Sequence, residues 1–300
     1  MQKPLYYLLK GTTKLLSALP LGFHRRCGEF MGIFALKVLG YRRSVVDINL
    51  ARSFPDKKYG ELKEIRKGFY KHFGRIIGEA LWFGGCNAEK LEKARIIRMT
   101  NPEEINRLWE IAPSVLVMIG HCGNWELACG FAHYAPDAEI LVPSKDVHMV
   151  YKQLSSPVWD AFIKDNRRAP MSEGRDEVLI ETSSVMRFIL THKNEKKVYV
   201  FITDQYPYEG GSPVEIGEFM HQDTRTMVGA ARLASRLGMA VAYLSFRDAS
   251  GGGYEWTYRT ISENASGEDP VQIMKKYYQM LQEDIEAQPC NYLWSHKRWK

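Results

Sequence analysis

Apolar positions along this 300-residue chain recur with two different periods, and the change from one to the other divides it. Residues 5–39 read as an amphipathic helix broken near Pro20-Leu21-Gly22. A second helical stretch covers about 58–82, where Ile65, Phe69, Phe73, Ile76, Ile77 and Ala80 share one face. From Ile96 onward, short apolar runs alternate with helical patterns. Strands are expected at Ile96–Met99, Val115–Ile119, Ile140–Val142, Val198–Thr203 and Met239–Phe246. Helices are expected between them at about 102–110, 124–134, 175–193 and 225–237. Such alternation is the pattern of βαβ units and predicts an α/β fold with a mostly parallel sheet. Ser250-Gly251-Gly252-Gly253 reads as a turn into a late antiparallel strand, Tyr254–Tyr258, and a final helix over about 269–287 stops before Pro289.

The run Val115–Ile119 leads into Gly120-His121-Cys122-Gly123-Asn124-Trp125-Glu126, where a histidine precedes a glutamate by five positions. On one continuous helix those side chains would stand about 140° apart and share no face. They can cooperate only if His121 lies in the loop after the strand and Glu126 in the first turn of the following helix. Gly120 and Gly123 permit such a loop, Asn124 suits an N-cap, and the helix dipole favours a carboxylate at Glu126. A neutral imidazole there can serve as a general base; it can equally be a core histidine bonded to a loop. Asp204-Gln205 directly follows Val198–Thr203. Open parallel sheets bind ligands beyond the carboxyl ends of their strands, so this pair and His121–Glu126 can meet over one cleft. Asp204 is equally suited to starting a loop.

Other chemistries find less support. The chain lacks G-x-S-x-G, a Walker-type loop, G-x-G-x-x-G, H-E-x-x-H and C-x-x-C, so neither a metal nor a cofactor is expected. The five cysteines are odd in number and read as reduced thiols.

Charge adds a second theme. Eight of the first 50 residues are basic (Lys3, Lys10, Lys14, Arg25, Arg26, Lys37, Arg42 and Arg43), against Glu29 and Asp47. The difference, 8 − 2 = +6, equals the net charge of the whole chain. Basic side chains also interrupt the apolar runs of residues 5–39, leaving nothing near the roughly 20 apolar residues that span a bilayer. An interfacial helical segment on an anionic membrane surface fits this pattern, as does a helix packed on the domain. Nothing resembles a nucleic-acid reading module.

Taken in order, several segments resemble the late acyltransferases of lipid A biosynthesis, the lauroyl/myristoyl-transferring family. His121-Cys122-Gly123-Asn124-Trp125-Glu126 matches its H-x-x-x-x-E motif. Tyr41-Arg42-Arg43, Asn49-Leu50 and Ser53-Phe54-Pro55 resemble its N-terminal signature, Phe201–Gln205 its strand-plus-DQ motif, and Tyr292–Lys300 its basic, aromatic end. Phe219-Met220-His221-Gln222-Asp223-Thr224 departs from the usual Phe-Gly-x-Pro-like segment and looks more like the Bacteroidota form. The resemblance implies one domain over 1–300 with a glycerolipid acyltransferase-like fold, of which 1–50 is a basic, membrane-associated helical segment. It also implies an inner-membrane enzyme on the cytoplasmic face that moves a fatty acyl chain from an acyl carrier protein thioester to a lipid A precursor hydroxyl. His121 would then be the base, oriented by Glu126. Asn124, Asp204 and Gln205 would lie in the substrate cleft, and Arg167 and Arg175 would meet substrate or carrier phosphates. An acyltransferase for another glycolipid and a non-catalytic lipid-binding protein are the alternatives.

Overall fold

The computed structural model describes residues 3–171, 177–207 and 212–299. Four helices come first: α1 (Lys3–Leu16), α2 (Leu21–Phe34), α3 (Arg43–Ser53) and α4 (Tyr59–Phe83), with a π-helical turn over Ala35–Leu39. Next follow α5 (Ala88–Ala94), β1 (Ile97–Met99), α6 (Pro102–Ile111), β2 (Val115–Ile119) and a 3-10 helix over Trp125–His133. The middle of the chain forms β3 (Val147–Tyr151), α7 (Pro157–Arg167), β4 (Leu179–Glu181), α8 (Val185–Thr191) and β5 (Val198–Ile202). The last third forms β6 (Val214–Phe219), β7 (Gln222–Thr226), α9 (Gly229–Leu237), β8 (Ala240–Asp248), β9 (Tyr254–Ser262) and α10 (Pro270–Ala287).

Seven strands make one mixed sheet in the order β1-β9-β8-β2-β5-β3-β4. β8, β2, β5, β3 and β4 run parallel, whereas β9 pairs antiparallel with β8 and carries β1 beside it. The α/β class, the central strands and the antiparallel β9 are thus as the apolar pattern predicts. Strands covered on both faces read as continuous apolar runs. Leu116, Met118, Tyr199, Val241 and Tyr243 point into the layer formed with α9 and α10. Val115, Val117, Val198, Val200 and Ala242 face the layer formed with α6 and the 3-10 helix.

Three expectations differ from what is observed. The run Ile140–Val142 forms no strand: the Leu141 N–H donates to the Asn106 side chain, and Pro143 opens a short turn over Ser144–Asp146. β3 forms instead at Val147–Tyr151, where polar His148 disguises the pattern. His148 is buried, its ring bonded to the Glu177 carbonyl and stacked on Tyr199. Of the helix expected at 175–193, the first two residues lie outside the described ones, and the rest divides into edge strand β4 and helix α8. The helix expected from 225 starts at Gly229, because residues 214–226 form the β6–β7 hairpin. Its two turn residues, Met220 and His221, both have positive φ (53° and 59°). Asn-Gly is the usual sequence signal for such a turn, and it is missing here.

The N-terminal helix pair is seated unusually close. A Cβ on Gly28 or Gly32 of α2 would run into the backbone of Gly74 or Tyr70, and one on Gly74 or Gly78 of α4 into that of Gly28 or His24. This seat aims the inner face of α4 at the loop after β2. Gly74→Ala is therefore expected to destabilise the protein by about 1–3 kcal/mol, as overpacking does. Gly60→Ala, with open space at the start of α4, should not lower the melting temperature. Thermal melts of the two variants check the contrast.

Candidate active site

β2 and β5 pair in parallel register, Ile119 opposite Ile202, so the two chains leave the sheet side by side. Two residues beyond each strand end stand His121 and Asp204. The Asp204 carboxylate is almost fully buried and binds His121 twice: Oδ1 lies 2.6 Å from ring Nδ1, and Oδ2 accepts the His121 backbone N–H at 3.0 Å. Burial would raise the Asp204 carboxyl, but the adjoining imidazole and these hydrogen bonds hold it below the usual carboxylate range. With Nδ1–H given to Asp204, Nε2 is left as the ring's acceptor. The exposed Gln205 amide lies 3.0 Å from it.

Glu126 faces elsewhere. His121 sits in the loop and the helical turn starts at Trp125, which is the arrangement the five-residue spacing demands. Yet both Glu126 oxygens are taken by Arg167 at the end of α7, at 2.7 Å each, and Trp125 Nε1 donates to one of them at 3.1 Å. Burial pushes the Glu126 carboxyl up, and the Arg167 guanidinium overrides it and holds it below its ordinary value. The Trp125 ring stands edge-on to His121, with centroids 4.8 Å apart. The orienting contact expected of Glu126 is thus made by Asp204. Among the described residues Glu126 makes no hydrogen bond to His121, because the guanidinium of α7 draws it aside.

The other anticipated residues fall in different places. Arg167 reaches the site, but as the partner of Glu126. Arg175 lies outside the described residues. Asn124 precedes the 3-10 helix without capping it, and its side chain is fully buried, turned inward to Ile76 O and Glu79. Cys122 is buried, and burial pushes its thiol well above the usual range. No group of three or more His, Cys, Asp and Glu side chains that could hold a metal ion occurs among the described residues.

Sequence reasoning missed the C-terminal contribution. Leu293 N–H donates to His121 O at 3.1 Å, Cys122 and Tyr292 form an antiparallel bridge, and the Asn291 side chain accepts the Gly123 N–H. In turn Asn49 of α3 donates to the carbonyls of Trp294 and His296. No spacing rule links positions 49, 121 and 291. The basic, aromatic look of the chain end was the one visible signal.

An imidazole oriented by a buried carboxylate, beyond the carboxyl ends of a largely parallel sheet, defines an α/β protein equipped for proton abstraction. The chain belongs to the bacterial lipid A biosynthesis acyltransferase family, whose model matches residues 1–300. That membership implies acyl transfer to a lipid A precursor. No curated protein matches the chain.

The Glu126–Arg167 pair has a pH signature. A carboxyl whose folded pKa lies below its unfolded value contributes stability that is complete above the unfolded value and lost as pH falls through the folded one. For Glu126 that window lies below 4.5. The stability gap between the wild type and Glu126→Gln should be full at neutral pH and close as the pH drops below 4.5. Denaturant titrations across pH measure it, and a gap that does not change with pH would contradict the pairing.

Proposed function

We propose that this protein transfers a fatty acyl group from an acyl carrier protein thioester directly to a hydroxyl of a lipid A precursor, with His121 as the general base. The observation that carries this reading is the Asp204–His121 pair, which leaves Nε2 as the ring's acceptor, met in this structure by the exposed Gln205 amide. The acceptor hydroxyl displaces the Gln205 amide from Nε2 and gives its proton to the ring as its oxygen attacks the thioester carbonyl. Asp204 holds Nδ1–H throughout and stabilises the imidazolium. Glu126, fixed by Arg167 one residue beyond Trp125, adds a second negative charge near the ring. As the tetrahedral intermediate collapses the C–S bond breaks, and the imidazolium proton passes to the leaving thiolate. No acyl-enzyme forms; Cys122 is buried and its thiol is held protonated.

An apolar-lined pocket supports an acyl chain as the substrate; its free volume is about 20 Å³, so its walls must part to admit one. Its lining includes Ile119, Gly120 and Trp125, neighbours of His121 in the chain, together with Ala128, Phe131 and Trp256. The N-terminal segment supports work at a membrane surface. Tyr7, Leu8, Leu15, Phe30, Met31, Val38 and Leu39 are each more than half exposed, on a segment that also carries the basic excess. No described helix is long and apolar enough to cross a membrane. The segment therefore lies on the membrane in this reading, on the cytoplasmic face of the inner membrane, where acyl carrier protein is available.

Two outcomes test the proposal. His121→Ala should fold normally and lose transfer from acyl carrier protein to a lipid A precursor by about 10²–10⁴-fold, the worth of a general base. Undiminished transfer removes His121 from the mechanism, and lipid A of unchanged mass in a deletion strain points to another glycolipid acceptor. Ala128 lines the cavity, so Ala128→Phe should shift the products, read by mass spectrometry, toward shorter acyl chains.

A further inference from the structure

We infer that Glu79 is a positioning residue for the reactive loop: its buried carboxylate on α4 holds Asn124 and thereby sets where His121 and Glu126 stand. The inference rests on the proposed role of His121.

Glu79 is fully buried, yet it reaches α2, β9 and the loop after β2. Oε1 accepts from Arg25 Nε of α2 at 2.6 Å; Oε2 accepts from Asn124 Nδ2 at 2.9 Å and from the Tyr254 hydroxyl of β9 at 2.6 Å. Removing a carboxylate from water costs several kcal/mol, so its place requires partners of good geometry. Packing alone would be served by an apolar side chain of similar volume.

The same face of α4 grips the loop at the preceding residue. His72 precedes Glu79 by seven positions, two helical turns, and its Nε2 lies 3.2 Å from Gly123 O. Burial pushes the His72 pKa down, so the ring is neutral. Arg75 Nη2, itself bonded to Asp248 at the end of β8, donates to its Nδ1 at 2.9 Å. Nε2–H is therefore the donor to Gly123 O. Between these two residues on α4, Ile76 O accepts from Asn124 at 3.3 Å.

Gly123 and Asn124 form the pivot between His121 and Glu126. Gly123 has φ of 61°, and a Cβ there would run into the Phe246 ring, so the pivot is a tight turn under packing pressure. Asp204 fixes the His121 ring, but it acts two residues ahead of the pivot. Asn124 has no access to solvent, so its amide serves the loop and touches no substrate in this conformation.

The test uses the full chain with Asn124→Ala, Glu79→Gln and the double variant. Asn124→Ala removes the tether while Glu79 keeps Arg25 and Tyr254. We expect each single variant to lose on the order of 10–100-fold in kcat with little change in KM, as loop misplacement does. The double variant should lose no more than the worse single one. In protein carrying ¹³Cε1-labelled histidine, the His121 ring signal, assigned with His121→Ala, should shift or split in both single variants. Wild-type kcat together with an unchanged His121 signal in Asn124→Ala overturns the inference, as does a raised KM at unchanged kcat. If Glu79→Gln does not fold by thermal melt, Asn124→Ala alone decides. If the wild type transfers no acyl group, the proposed function fails while the His121 signal still reports on the tether.

Discussion

The bond between His121 and Asp204 depends on the pairing of β2 with β5, and much of the molecule serves to fix that pairing. Two parallel strands in register bring residues two positions beyond Ile119 and Ile202 to the same edge of the sheet. A slip of one residue would turn every side chain of a strand to the opposite face. Here such a slip would exchange the Leu116 and Met118 layer with the Val115 and Val117 layer, both of which are filled. Core packing on two faces therefore sets a hydrogen bond at the sheet's edge. Tyr277 and Tyr278 of α10 reinforce it by donating to Ile119 O and Thr203 O, the carbonyls just before the two loops.

Two buried or half-buried carboxylates stand near one imidazole, each with its own cationic or proton-donating partner. Asp204 takes Nδ1–H, Arg167 takes Glu126, and Trp125 stands against the ring with its indole N–H on Glu126. The division leaves neither carboxylate unpaired, and each is held below its ordinary range despite burial. Paired in this way, both carboxyls are held in the charged form. In the loop between them, the N–H and C=O groups of His121 and Gly123 are met by Asp204, Leu293, Asn291 and His72. Buried backbone that is satisfied in this way has little freedom to rearrange.

Much of the fold was legible because the central strands are covered on both faces and so appear as uninterrupted apolar runs. The edges were less legible. β3 contains a histidine that is buried only because Phe188 and Tyr199 enclose it. β4 has three residues, and the β6–β7 hairpin turns through Met220-His221, a pair that carries no turn signal of its own. At the site, His121, Asp204, Gln205 and Glu126 could all be picked out by position. The pairing among them could not, because Arg167 lies 41 residues from Glu126 and Asp204 lies 83 from His121.

The sequence by itself determined an α/β chain of the lipid A acyltransferase family, with a basic amphipathic start and a histidine at the end of a buried strand. These follow from local periodicity, charge and short motifs, which need no knowledge of what lies opposite. Only the tertiary structure decided that Asp204 orients the imidazole and that Glu126 answers to Arg167. It also decided that Asn124 is buried, with its amide turned to Ile76 O and Glu79 of α4. A side chain's partner is set by which strand ends and helix faces converge, and that convergence comes from packing the two layers of the sheet as a whole.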